Sequence, residues 1–409
     1  MSVSDSHSDV PATSGNDDVI FYDAPKKYSP SRPAYSPGLS GNGRKARPSA
    51  GRLVLRILAF VLGGLLIVSG VTSIVIFSFF NRINYEAGPD KTQPGAGAIV
   101  DPGESLYQGN LLNDKQILNI LLIGADTRKN QVRGNSDTMM LMSIDNRHKK
   151  LKLLSFMRDT YCTIPGYDSN KLNASFTIGG ADLTIRTIQT NYGIEIDRYA
   201  VVDFESFSSI IDVLGGLDIE LSEEEVDYID WQCWKNHQVN TRHELDAENR
   251  IYHPNTKGDY ITLVHLNGRQ ALWHARNRGE EGICSGDDYV RTQRQRAVIG
   301  NIVDRLKASD FSTVVSILYE IGPLITTNLK TTEITSLASN VTKYLKYDLV
   351  SQSAPDRASM GVDYFFSDNV YPIYIDGYQQ SCIIITDWFD FRKKVANFVF
   401  GDENPLKVS

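Results

Sequence analysis

ILNILLIGADTR, residues 117–128, decides the fold, because residues 117–124 are apolar on both alternating faces, the mark of a strand buried in the middle of a sheet. A polar loop with Gly134 and Asn135 leads into SDTMMLMSID, residues 136–145, and LKLLSF follows at 151–156. Three strands in quick succession predict a sheet. After a turn at Pro165 and Gly166, the pattern predicts a helix over 181–192, a strand over 199–203, and a helix over 205–214 closed by Gly215 and Gly216. A strand over 216–221, an irregular polar segment over 228–257 and a strand over 260–264 come next, then a helix from 267 to 274. Helical spacing recurs over 289–306, 317–325, 332–345 and 388–400. The expected class is α/β: a single extracytoplasmic domain over 117–402, with a central mixed β-sheet flanked by helices and a helical C-terminal part.

Working outward, the chain of 409 residues changes character sharply before this domain. Residues 1–52 are rich in Ser, Pro, Gly, Asp and Asn and predict a disordered tail, since so few large aliphatics cannot offset the ordering entropy. Residues 53–80 predict a transmembrane helix: Ile57 to Phe80 is 24 residues without a formal charge, enough rise to cross a bilayer core of about 30 Å. A cleaved signal peptide has a shorter apolar run, nearer the amino terminus. Arg44, Lys45, Arg47, Arg52 and Arg56 precede the span and only Arg82 closely follows it, so the tail is expected in the cytoplasm and the domain outside. Residues 81–116, rich in Gly, Pro, Asp and Gln, read as an extracytoplasmic linker. Outside the membrane there is no ATP, so a reaction there needs an already activated substrate.

The formal net charge of −7 argues against a general nucleic-acid binder. All 4 cysteines lie in the exported part, where an even number suggests two disulfides, with Cys233–Cys284 and Cys162–Cys382 the preferred pairs. No CxxC pair supports a zinc site, and His237, His243 and His253 read as loop residues rather than ligands.

Three clusters carry chemistry. Between His274 and Arg296, HARNRGEEGICSGDDYVRTQRQR packs five arginines beside two adjacent aspartates. Arg276 and Arg278 point the same way if extended, and Asp288, Arg291 and Gln295 share one helical face. Paired guanidiniums suit a phosphate or pyrophosphate. A solvated basic helix start with surface ion pairs is an equal reading of this cluster alone. Asp126 ends one strand and Asp137 begins the next, which would bring two hard oxygen ligands to one sheet edge, suited to magnesium or manganese; taken alone, capping and turn formation is the better reading of these aspartates. Arg158 follows the third strand toward the same edge, where Asp159 either orients it or caps the next turn, and Lys171 and Asn173 in KLNAS offer donors for a phosphate or sugar.

Together with LLIGADTR (121–128), SDTMML (136–141), LLSFMRDT (153–160), KLNASFTIGG (171–180), VVDFESF (201–207), DVLGG (212–216), LNGRQALWHARNR (266–278), DYVRTQRQRAVI (288–299) and TTNLKTTEI (326–334), these clusters make the chain resemble the LytR-CpsA-Psr family of membrane-anchored phosphotransferases. The resemblance runs over roughly residues 117–335, in the family's order. It implies an enzyme that moves a glycopolymer from a polyprenyl-pyrophosphate carrier to peptidoglycan, forming a phosphodiester and releasing polyprenyl phosphate. It also implies that Asp126 and Asp137 hold Mg2+ or Mn2+, and that Arg158, Arg276, Arg278, Arg291 and Gln295 embrace the pyrophosphate. Asp288 would orient those arginines, and Arg128, Lys171 and Asn173 would complete the substrate-binding set. An apolar groove for the lipid tail belongs to the family fold, and no motif locates it.

The chain departs from the family at Met157, where proline is usual, at Asn135, where arginine is frequent and Arg133 is the available substitute, and in a longer segment between Arg278 and Asp288. Arg294 and Arg296 fall off the shared helical face and are assigned to helix support or ion pairing. Two other readings stand beside the transferase: a noncatalytic scaffold binding lipid-linked glycans, and a pyrophosphatase that hands phosphate to water. DNA-binding regulation is not compatible with an exported acidic domain.

Overall fold

In the computed structural model of the chain, the described residues are 82–86, 111–126, 134–236, 251–254, 260–280, 282–367 and 369–401. The expected tail over 1–52, the transmembrane helix over 53–80, Arg128, and the linker apart from residues 82–86 and 111–116 lie outside them. Among the described residues no helix is long and apolar enough to cross a membrane.

The chain runs through β1 (Asn84–Tyr85), β2 (Ile117–Ala125), β3 (Ser136–Asp145), β4 (Lys150–Phe156), β5 (Tyr161–Cys162), β6 (Asn170–Lys171), α1 (Ala174–Tyr192), β7 (Arg198–Asp203), α2 (Phe204–Val213) and β8 (Leu217–Ser222). It continues with α3 (Glu223–Lys235), β9 (Ile251–Pro254), β10 (Tyr260–Leu266), α4 (Gly268–Arg276), α5 (Asp288–Ala308), α6 (Phe311–Ile321) and β11 (Thr326–Thr327). The last part holds α7 (Thr331–Ser339), α8 (Val341–Tyr344), β12 (Asp348–Ala354), β13 (Tyr364–Phe366), β14 (Ile373–Ile375), β15 (Tyr378–Gln380), β16 (Ile383–Ile385) and α9 (Trp388–Phe400).

Seven strands form the central sheet in the order β1-β11-β7-β2-β3-β4-β12. It is mixed, as expected: β2 pairs antiparallel with β3 and parallel with β7. One face packs on α1 and α9, where Tyr192 meets Phe156, Trp388 and Phe391 with ring centroids 4.8, 5.5 and 5.8 Å away. On the other face Val303 of α5 packs with Ile120, Ile144 and Leu151. A smaller antiparallel sheet, β8-β10-β9, shares a second core with α2 to α5 through Ile211, Leu217, Val226, Ala271 and Val298.

Local sequence explains the helices that bear on the site. Asp203 caps α2 by accepting from the Ser206 N–H at 2.7 Å, and Asp287 caps α5 by accepting from Val290 at 2.9 Å. Asn267 and Gln270 form a capping box at the start of α4. Helices α2 and α4 cross so closely that a Cβ on Gly268 would lie 1.9 Å from the Ser208 carbonyl oxygen.

Several expectations are corrected. The segment 228–257 is not all irregular: α3 occupies Glu223–Lys235, nucleated by the Ser222/Glu225 capping box with three acids in its first turn, and Ile251–Pro254 is a strand. The helix expected over 317–325 spans Phe311–Ile321, because Gly322 and Pro323 turn the chain into β11. The helix expected over 332–345 is two short ones meeting at Asn340. Strands β12 to β16 were not anticipated. The cysteine pairing is also corrected: all four cysteines are buried and no disulfide joins them, so neither Cys233–Cys284 nor Cys162–Cys382 is bonded.

Candidate active site

Asp126 directly follows β2, and its N–H donates to the Asn135 carbonyl at 2.9 Å, so the ends of β2 and β3 are tied together. The register slips there: Gly124 faces Thr138 while Ala125 faces Ser136, leaving Asp137 as the extra residue of a bulge. A bulge re-aims its side chain. The Asp137 carboxylate accepts from Arg158 Nη1 at 2.6 Å, which joins the β3 end to the residue just beyond β4.

Arg158 is the hub. Its Nε lies 3.3 Å from Asp288 Oδ2 and 3.4 Å from Asp159 Oδ2, and Asp159 also pairs with Lys171 at 3.0 Å. Asp288 in turn receives Arg291 at 3.3 Å and Arg278 at 4.0 Å. One carboxylate thus holds three guanidiniums from β4's end, the α4–α5 connection and α5. Burial opposes the charge on Arg158, but Asp288, Asp159 and Asp137 outweigh it and raise its pKa. Arg291 goes the other way, lowered by burial and then by the neighbouring Arg158 charge. It is 3% exposed, and its Nε makes no hydrogen bond among the described residues. A buried cation with a spare donor and one shared carboxylate is prepared for an anion.

The two acids divide their roles. Burial and a hydrogen bond to Asp288 raise the Asp159 carboxyl, whereas Asp288, despite its burial, is held low by Arg291, by that hydrogen bond and by Arg158. The two carboxyls are therefore shifted in opposite directions, Asp159 upward and Asp288 downward.

Arg276 ends α4, and its guanidinium lies over the rings of Phe204 and Trp273, 4.2 and 5.1 Å from their centroids. The backbone turns extended at Asn277, and Arg278 beyond it is exposed. Gln295 donates to the Ala275 carbonyl at 3.3 Å, fixing α5 against α4. Asn173 sits at the start of α1 with its N–H on the Arg158 carbonyl at 3.1 Å. Of the expected site residues, Asp137, Arg158, Lys171, Arg278, Asp288 and Arg291 form one connected charge network. Asp126 adjoins it through the β2–β3 ends, Arg276 and Gln295 line the same cavity mouth, and Asn173 joins through backbone alone.

Arg294 and Arg296 behave as assigned: Arg294 pairs with Glu225 at 2.6 Å and donates to the Asn277 carbonyl at 2.8 Å, and Arg296 donates to Ser155 at 3.0 Å. Two departures from the family find local explanations. The Met157 N–H donates to the Ala354 carbonyl at 3.1 Å, a bond that proline could not make. Asn135 accepts from Thr177 Oγ1 at 2.7 Å, tying the β3 start to α1.

Behind the charges lies a cavity of about 290 Å³ between the sheet and helices α2, α4 and α5. Its wall is apolar, with Leu122, Met140, Val202, Phe207, Ile210 and Ile302 among the lining, while Asp137, Arg276, Arg278, Arg291 and Gln295 line it too. Sequence reasoning did not place this cavity, nor the rings of Phe204 and Trp273 under Arg276. The available signals were Phe207 and Ile210 at a spacing of three, and Val298, Ile299 and Ile302 on one side of α5.

Asp126 and Asp137 are a pair of hard oxygen donors, and among the described residues no group of three His, Cys, Asp or Glu converges to hold a metal ion. Hard oxygen donors are the chemistry that would fit magnesium, which takes substrate phosphates as further ligands.

An apolar cavity bounded by helices and lined also by guanidiniums and a carboxylate defines a class of site, one with the chemistry to take an amphiphile with an anionic head. The chain belongs to the LytR_cpsA_psr family, whose family model matches residues 88–371. Over 254 residues it is 29% identical to the polyisoprenyl-teichoic acid--peptidoglycan teichoic acid transferase TagV of Bacillus subtilis (strain 168), a match covering 59% of this chain and 59% of that one. It is 33% identical over 212 residues to the regulatory protein MsrR of Staphylococcus aureus (strain COL), covering 52% of this chain and 55% of that one. The chain therefore spans less than two thirds of the length of these relatives. Among solved structures it is similar to TagT with bound octaprenyl pyrophosphate lipid, at 20% identity and a TM-score of 0.47, over 73% of this chain and 98% of that one.

Proposed function

We propose that the protein is a membrane-anchored phosphotransferase that moves a glycopolymer from a polyprenyl-pyrophosphate carrier to peptidoglycan, forming a phosphodiester and releasing polyprenyl phosphate. The observation that carries the proposal is the apolar cavity lined also by Asp137, Arg276, Arg278, Arg291 and Gln295. Family membership and the transferase name of TagV support it.

The parts divide the work physically. The apolar wall takes the prenyl chain, each buried CH₂ contributing about 0.8 kcal/mol. Arg291 and Arg278, which share Asp288, turn their remaining donors to the pyrophosphate. Arg158 stands between Asp137 and Asp288, where its charge offsets the negative charge that builds on the leaving phosphate. Arg276, immobilised over Phe204 and Trp273, adds a donor that does not have to be ordered during the reaction. Asp126 and Asp137 would hold Mg2+ or Mn2+, which supplies Lewis acidity toward phosphoryl oxygens. The activated bond is the pyrophosphate itself, so no nucleotide is needed outside the membrane. The uncharged run over 57–80 and the basic residues before it support a domain outside the cell, behind a single span with a cytoplasmic amino terminus.

The test mixes the purified full chain in detergent with magnesium, a polyprenyl-pyrophosphate saccharide and peptidoglycan fragments. Transfer that falls at least a hundredfold in Arg158→Ala and Arg276→Ala is expected. Donor binding without transfer sinks the catalytic reading and leaves the scaffold, and transfer indifferent to both substitutions contradicts the roles given to Arg158 and Arg276.

A further inference from the structure

Strand β7 separates two cavities of opposite character. Ala200 and Val202 line the apolar one. Tyr199 and Val201 line a second cavity, of about 310 Å³, on the other face of the strand. Its polar wall comes from Asn84, Glu86, Asp182, Asp203 and Ser206, with the backbone of α1 entering at Gly179 and Gly180. Gly180 breaks the helix there, with φ 65° and ψ −157°, which takes its peptide groups out of the regular ladder. Asp203 lines both cavities, and Ala125, the neighbour of Asp126, lines the second. The two spaces therefore share a wall at the end of β7, and the second also borders the end of β2, next to Asp126.

We infer that this second cavity receives the acceptor, a neutral, hydroxyl-rich sugar ring of peptidoglycan. The inference rests on the transferase reading and deepens it. Three observations point to this ligand. The lining holds three carboxylates and no Lys, Arg or His, so it repels a phosphate head group while offering acceptors to sugar hydroxyls. Those acids do not form a cation cage, since no such convergence occurs among the described residues. The volume lies at the small end of ligand pockets, about 300–1,000 Å³, which fits one or two sugar rings.

Reaction geometry gives the position its meaning. In-line displacement at phosphorus puts the incoming and leaving oxygens on opposite sides. With the prenyl phosphate leaving toward the apolar cavity, the nucleophile has to approach from the other side of the strand ends, where the polar cavity opens. The acceptor oxygen then bonds to the phosphorus next to the glycopolymer. The bridging P–O bond breaks, its electron pair leaves with polyprenyl phosphate, and the hydroxyl proton passes to solvent water.

The experiment uses the full chain in detergent, a lipid-linked donor, and the N-acetylglucosaminyl–N-acetylmuramyl disaccharide as acceptor probe. Asp182→Asn keeps the shape of the wall, and Ser206→Phe fills the space. Both are expected to raise the acceptor KM at least tenfold while leaving the donor KM and donor hydrolysis without acceptor within twofold of the parent. An acceptor KM equal to the parent's in both variants overturns the inference, with the transferase reading intact. If the parent itself transfers nothing, the transferase reading fails separately, and saturation-transfer NMR of the same disaccharide decides the cavity. Saturation lost in Ser206→Phe supports a sugar site; saturation equal in both proteins, or absent from the parent, overturns it.

Discussion

Asp288→Asn changes a single atom type at the point where three arginines converge. The native carboxylate is 24% exposed and serves Arg158 and Arg291 at 3.3 Å each and Arg278 at 4.0 Å. Removing one partner of a fully buried ion pair costs about 3–5 kcal/mol, and an exposed pair contributes at most about 1 kcal/mol. Asp288 lies between these limits, and Arg158 keeps Asp137, so the expected loss is roughly 2 kcal/mol. For a domain of this size that is a fall in Tm of roughly 4–8 °C. Thermal melts of parent and variant at pH 7 measure it, and inorganic pyrophosphate sharpens the result. A bound polyanion supplies the counter-charge that the variant lacks, so it should restore Tm more in the variant than in the parent. Turnover should nevertheless fall, because guanidiniums no longer held by a common carboxylate lose their alignment. A variant with parental Tm, parental turnover and the same pyrophosphate stabilisation would refute the view of Asp288 as the organiser of the clamp.

Burial holds the His274 imidazole at about 4 against an ordinary 6.5, and neither ring nitrogen has a hydrogen-bond partner among the described residues. Between those values the unfolded chain binds the proton and the folded chain does not. Stability is thus complete above the unfolded pKa and declines as pH falls toward the folded one, by roughly 3 kcal/mol in all, and His274→Phe should flatten that part of a denaturant-melt series from pH 7 to 4.5. Ile302→Trp, which fills the apolar cavity, should raise KM at least tenfold for a long prenyl donor and leave a short-chain analogue nearly unaffected; equal KM effects on both donors would argue against tail binding there. Gly268→Ala drives a methyl group into the Ser208 carbonyl and should cost more than about 2 kcal/mol in a urea titration, whereas a neutral result would mean that α2 and α4 do not cross so closely.

How much of this was legible in the sequence differs from place to place for physical reasons. Strands β2, β3 and β4 were readable because burial on both faces makes a continuous apolar run, and their observed bounds differ from the expected ones by a residue at most. The shared helical face of Asp288, Arg291 and Gln295 was readable because helical spacing is local. Strand β12 was not, since DLVSQSA has little apolar content and is held by parallel pairing to β4, nearly two hundred residues earlier. Helix α3 was hidden by its many charges, although the Ser222/Glu225 capping box was present to be read. The apolar cavity draws a few residues each from β2, β3, β7, α2, α4 and α5, so no window of sequence contains it. Even the carboxylate–arginine network needed the fold, because Asp137 reaches Arg158 through a bulge that its sequence does not announce.

Product identity after turnover tests the central claim most directly. Following the full chain, its lipid-linked donor and peptidoglycan fragments by phosphorus NMR, the account predicts a new phosphodiester resonance rising in step with polyprenyl monophosphate. A glycan monophosphate in place of the phosphodiester would make the protein a pyrophosphatase, and an unchanged pyrophosphate signal would contradict catalysis altogether.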